Sequence, residues 1–103
     1  MKYAQLKYDQ FDKYLFEAKS GRYIDSEELQ YIFKFENGYG ASVVKNIGSY
    51  GNRQDLFELA VIIFVSEFEW ELCYESKITD DVDVIGYLTN DDVLELLERI
   101  KNL

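Results

Sequence analysis

The hydrophobic period of this chain changes twice. Over residues 3–19, Ala4, Tyr8, Phe11, Leu15 and Ala18 recur every three or four positions, with Tyr14 beside them. Lys7, Asp9, Asp12, Lys13 and Glu17 fall largely elsewhere. That spacing puts one apolar stripe on a helix and predicts an additional N-terminal helix within residues 1–21, stopped by Gly21. Asp25 or Ser26 is placed to cap a short turn after it. From Tyr31 the period falls to two: Tyr31, Phe33 and Phe35 alternate with Ile32, Lys34 and Glu36, which reads as a strand. Asn37-Gly38 follows as a type I′ hairpin signal, and Ala41 to Lys45 supplies the returning strand. The next residues, 46–53, hold two Gly and two Asn and read as a loop.

Residues 56–65 form a near-continuous apolar run, the pattern of a central strand covered on both faces. In residues 67–75 the alternation is strict. Phe68, Trp70, Leu72 and Tyr74 take one parity, and Glu67, Glu69, Glu71, Cys73 and Glu75 the other. The apolar parity is expected to meet the C-terminal helix, with Trp70 largely buried there, and the glutamates to face solvent. Residues 76–88 read as an acidic connection with a short strand or turn at 82–88. Thr89 with Asp92 then predicts a capping box, and Val93, Leu96, Leu97 and Ile100 predict the buried stripe of a helix at 90–102. The expected fold class is α+β. A four-stranded antiparallel sheet at 29–75 carries the C-terminal helix on one face, within a single domain of residues 1–103. The N-terminal helix is expected to complete that layer or to cover the second face of the central strand.

Charge sharpens this picture. Residues 1–50 are balanced, whereas residues 51–103 hold four basic and thirteen acidic side chains and carry the whole net charge of −9. Phosphate neutralisation needs Lys and Arg, so this half excludes direct nucleic-acid binding and favours a basic partner. Glu67, Glu69, Glu71 and Glu75 are expected to share one exposed strand face, spaced about 6.5–7 Å apart. That spacing is close to that of phosphates along one strand of a duplex, and Asp80, Asp81 and Asp83 extend the row. No Lys or Arg interrupts the sequence between Glu58 and Glu75. These seven carboxylates are the candidate partner-binding residues.

Catalytic and metal chemistry find little here. The chain has no histidine, which removes Ser-His-Asp and Cys-His arrangements. Cys73, the one cysteine, stands among glutamates that disfavour a thiolate. Gly48-Ser49-Tyr50-Gly51 lacks the Gly-Lys-Ser/Thr ending of a phosphate loop. Asp81, Asp83, Gly86 and Asp92 match four positions of an EF-hand loop, but Ile85 stands where an oxygen ligand belongs. The expectation is no enzyme, no cofactor and no metal. With one cysteine, no signal peptide and no apolar run long enough to span a bilayer, a cytoplasmic protein without membrane contact is expected.

Phe35-Glu36-Asn37-Gly38-Tyr39-Gly40-Ala41-Ser42-Val43-Val44, Ser49-Tyr50-Gly51, Leu56-Phe57-Glu58-Leu59-Ala60-Val61, Leu72-Cys73-Tyr74 and Ile85-Gly86-Tyr87-Leu88-Thr89 form a recognisable pattern. It resembles a group of small, functionally uncharacterised proteins encoded by bacteriophages and prophages. The resemblance covers about residues 31–101 and leaves out the N-terminal segment. It implies a phage origin and a bacterial host cytoplasm, and no activity. By analogy with small acidic phage proteins, the expected function is inhibition of a basic host protein. Such a target is of the nucleic-acid-binding defence type, met by an anti-CRISPR or anti-restriction nucleic-acid mimic. The alternatives are an immunity protein or antitoxin against a basic toxin, and a small phage structural or assembly protein.

Overall fold

Residues alternating between two environments make strands, and strands dominate this chain more than its periodicity suggests. The computed structural model describes residues 2–23, 26–74, 78 and 84–103. It is α+β. Among the described residues, six strands form one antiparallel sheet: β1 (Leu15–Tyr23), β2 (Ser26–Lys34), β3 (Tyr39–Lys45), β4 (Phe57–Phe64), β5 (Trp70–Leu72) and β6 (Ile85–Leu88). They run in the order β1-β2-β3-β4-β5, and β6 pairs with the other half of β4. The one α-helix among the described residues, α1 (Asn90–Lys101), follows β6.

The N-terminal helix expected at 1–21 is absent. Residues 2–8 are irregular, Asp9–Tyr14 form a 3-10 turn, and β1 begins at Leu15. Tyr, Phe and Asp are weak helix formers, and here tertiary contacts override a marginal periodicity. Tyr3, Leu6 and Phe11 are all buried, and Tyr8 sets its ring edge-on to Tyr31 and Phe33 at 5.6 and 5.5 Å. Gly21 is therefore a strand residue rather than a helix stop. Ser26 opens β2 instead of capping a turn, and Asp25 lies outside the described residues. The sheet has six strands rather than four because β1 and β6 add to the expected set.

Directly paired residues share a face, so the register sorts the sheet into two sides. One side carries Leu29, Tyr31, Phe33, Phe35, Ala41, Val43, Phe57, Leu59 and Val61. Val93, Leu97 and Ile100 of α1, all fully buried, pack on it together with Leu96. The helix lies over β3, β4 and β6. Its N-terminus is fixed by the expected capping box: the Thr89 hydroxyl accepts from the Asp92 N–H at 3.1 Å, and the Asp92 carboxylate accepts from the Thr89 N–H at 2.9 Å.

Two polar ties hold the ends of this layer. The β2–β3 loop is a three-residue turn rather than the two-residue type I′ form. The Phe35 N–H donates to Tyr39 at 2.8 Å and the Gly38 N–H to Phe35 at 3.1 Å, with positive φ at Gly38 alone. That geometry frees the Asn37 amide to donate to the carbonyls of Ile100 and Lys101 at the end of α1, at 3.0 and 3.1 Å. At the other end, Lys45 is buried, with its ammonium 3.8 Å from the centroid of the Phe57 ring. It donates to Asp55 at 2.8 Å and to the Ala4 carbonyl at 2.9 Å, pinning the N-terminal segment.

Candidate docking surface

The β4–β5 hairpin builds the surface. After Phe64, the Val65 N–H donates to the Glu69 carbonyl at 2.9 Å, which closes a tight loop of Ser66, Glu67 and Phe68. The Ser66 hydroxyl accepts from the Glu69 N–H at 3.2 Å and stiffens it. β5 then pairs Trp70 with Phe64, Glu71 with Ile63, and Leu72 with Ile62. The strand expected over 67–75 is thus only Trp70–Leu72, because Glu67, Phe68 and Glu69 are spent on the turn.

The alternation is real and its faces are reversed. Glu71 pairs with Ile63, on the parity of Val61 and Leu59, so it lies on the helix side of the sheet. Glu69, opposite Val65, has the same parity. Both stay exposed because α1 packs over β3, β4 and β6 and not over β5. Trp70 and Leu72 share the opposite face with Phe64 and Ile62. Trp70 is half-buried there and is not under the helix, while Phe68, Leu72 and Tyr74 are exposed at 71%, 38% and 53%. Cys73, on the glutamate parity, packs against the core.

Glu67, Glu69 and Glu71 are therefore exposed on one hairpin, Glu67 at the tip and the other two along one side. They do not form the regular strand row expected of a duplex backbone. Glu75, Asp80, Asp81 and Asp83 lie outside the described residues. No ion pair engages Glu67, Glu69 or Glu71 among the described residues. The cation that the local sequence lacks comes from β2. The Lys34 ammonium donates to the main-chain carbonyl of Glu67 at 2.6 Å and sits 4.9 Å from the Phe64 ring centroid. It ties the tip down through the main chain, without an ion pair to the Glu67 carboxylate.

The opposite face of the sheet carries no helix among the described residues. Its centre is made of small groups, Gly40, Ser42 and Ala60, beside Ile32 and Ile62. A Cβ at Gly40 would collide with the Phe33 carbonyl and approach the Phe64 ring to 3.1 Å, so that ring lies across the glycine. Phe16 meets Phe64 edge-on at 5.2 Å. Ile32 and Ile62 are buried on this face, which carries these two rings and no helix among the described residues. Phe16, Lys34 and Phe64 were invisible as a cluster in the sequence, since they come from three strands. Glu58 also has this parity, and partial burial raises its carboxyl above the ordinary range, against the pull of the Tyr50 main-chain N–H.

Other candidate chemistry is not assembled. Of the EF-hand-like residues, Asp81 and Asp83 lie outside the described residues, Gly86 is in β6, and Asp92 is committed to the helix cap. No group of three potential metal ligands occurs among the described residues. Among the described residues, no helix is long and apolar enough to cross a membrane. Comparison with family models, curated proteins and solved structures finds no match to this chain.

Proposed function

We propose that this chain is an acidic protein-binding module that inhibits a basic host protein by occupying its cationic surface. The observation that carries the reading is the β4–β5 hairpin. It holds three exposed carboxylates, unpaired among the described residues, on and beside a turn stiffened by Ser66 and tethered by Lys34. Self-repulsion among like charges costs stability, so a cluster without ion pairs fits a role in attraction better than a merely solvated turn. The resemblance over residues 31–101 to phage-encoded proteins supports a bacterial target, such as a nucleic-acid-binding defence protein. The geometry favours a compact acidic knob over an extended duplex mimic.

Affinity capture from bacterial lysate at low salt, with elution by rising salt, tests the reading. A basic protein should elute, and reversing Glu69 and Glu71 to Lys should slow its association about 10- to 1000-fold with the fold intact. Capture unaffected by the double reversal, or insensitive to salt, would remove the proposal.

A further inference from the structure

The hairpin exposes more than charge. Phe68, Leu72 and Tyr74 are all substantially exposed, and Trp70 is half-buried between them. They run from the tip along the edge of the helix-free sheet face, where Phe64 and Phe16 continue the apolar surface inward. Phe68 stands in the tip loop and Trp70 and Leu72 on β5, so the apolar strip continues beyond the strand itself. β5 itself is only three residues long, too short an edge to recruit a strand.

We infer that this face docks an amphipathic basic helix of the partner protein: its apolar stripe on Phe68, Trp70 and Leu72, its Lys and Arg side chains toward the surrounding carboxylates. Charge selects this occupant. Glu67 at the tip, Glu69 and Glu71 across the edge and Glu58 on the face itself border the apolar strip. Of the nearby cations, Lys34 is held by the Glu67 carbonyl over the aromatic pair, and Lys19 at the far edge pairs with Glu17 at 3.6 Å. A second copy would bring two such acidic borders together, an arrangement that like charge disfavours. The inference rests on the proposed function for the sign of the partner's charge and adds an apolar requirement to it.

The test uses two labelled peptides of about 14 residues with the full chain. One is a Leu–Lys amphipathic helix, and the other has the same charge with Ser replacing Leu. The Leu–Lys peptide should bind about tenfold more tightly or better, the scale expected from burying exposed Phe and Leu side chains. It should also change the emission of Trp70, the single tryptophan. The double variant Phe68→Ser with Leu72→Ser should bring it down to the Ser–Lys level without altering Ser–Lys binding. Both residues are exposed, so the variant should keep the parent melting profile. Equal binding of the two peptides, or Leu–Lys binding that survives the double variant, overturns this inference and leaves the proposed function standing. No binding by either peptide overturns both. A dimer that the double variant dissociates would show that the face belongs to a second copy, and would overturn it as well.

Discussion

The two faces of this sheet bury similar residues by different means. On the helix side, Val43, Leu59 and Val61 are covered by Val93, Leu97 and Ile100, and Phe33 meets the Tyr8 ring, all four sheet residues at or near zero exposure. On the other side, Ile32 and Ile62 are buried equally well, yet no helix covers them among the described residues. There the Phe64 ring lies across Gly40 and meets Phe16 edge-on. A layer of secondary structure extends burial right across its contact area, whereas a few rings cover only what they reach. Burial therefore fades towards β5, where Trp70, Leu72 and Phe68 are left partly or fully in solvent. Stability should concentrate on one face and binding on the other.

The largest expected effect tests the covered face. Leu97 has no exposed surface, and Leu97→Ala should cost about 3–4 kcal/mol in equilibrium unfolding by denaturant. Trp70→Ala on the other face should cost less, about 1–2 kcal/mol, because the half-buried ring already spends part of its surface in water. A Trp70 variant as damaging as the Leu97 variant would mean that the β5 faces are the reverse of those described. Asn37→Ala comes next, at about 1 kcal/mol. It leaves the Ile100 and Lys101 carbonyls without the donor that links the β2–β3 turn to α1. Amide exchange should quicken in the last turn of α1 and not in β5. Uniform quickening would show that the turn is coupled to both faces.

Much of the covered face was legible in the sequence. The Thr89–Asp92 capping box and the stripe at Val93, Leu96, Leu97 and Ile100 are local patterns that one helix satisfies by itself. The apolar run at 56–65 marked β4, whose central residues are buried on both parities. What failed was non-local. The three-to-four spacing of Ala4, Tyr8, Phe11 and Leu15 imitates a helix, yet Ala4 is exposed, and it is Tyr3, Leu6, Tyr8 and Phe11 of an irregular chain that meet the core around Tyr31, Phe33 and Phe35. Alternation over 67–75 separated the two parities but could not say which one the helix covers. That depends on α1 stopping short of β5. The Lys34 tether to Glu67 joins residues 33 positions apart, and no local signal could have shown it.

The smallest effect concerns Glu58, which tests how dry the helix-free face is. Burial raises its carboxyl above the ordinary value of 4.5, although the Tyr50 N–H opposes the shift. Between the ordinary and the raised value the folded chain binds more protons than the unfolded chain, so this group makes stability fall as pH rises. Its contribution is then constant and unfavourable above that window, and vanishes below it. Glu58→Gln keeps an acceptor for the Tyr50 N–H and removes the titration. The variant should be the more stable protein at neutral pH and should lose that lead as pH falls through the window. Subtracting the two pH–stability curves isolates this residue from the other carboxylates titrating nearby. A variant less stable than the parent at neutral pH would mean that the Glu58 charge is compensated on the folded surface. The face would then be wetter, and less ready for an apolar partner, than its rings imply.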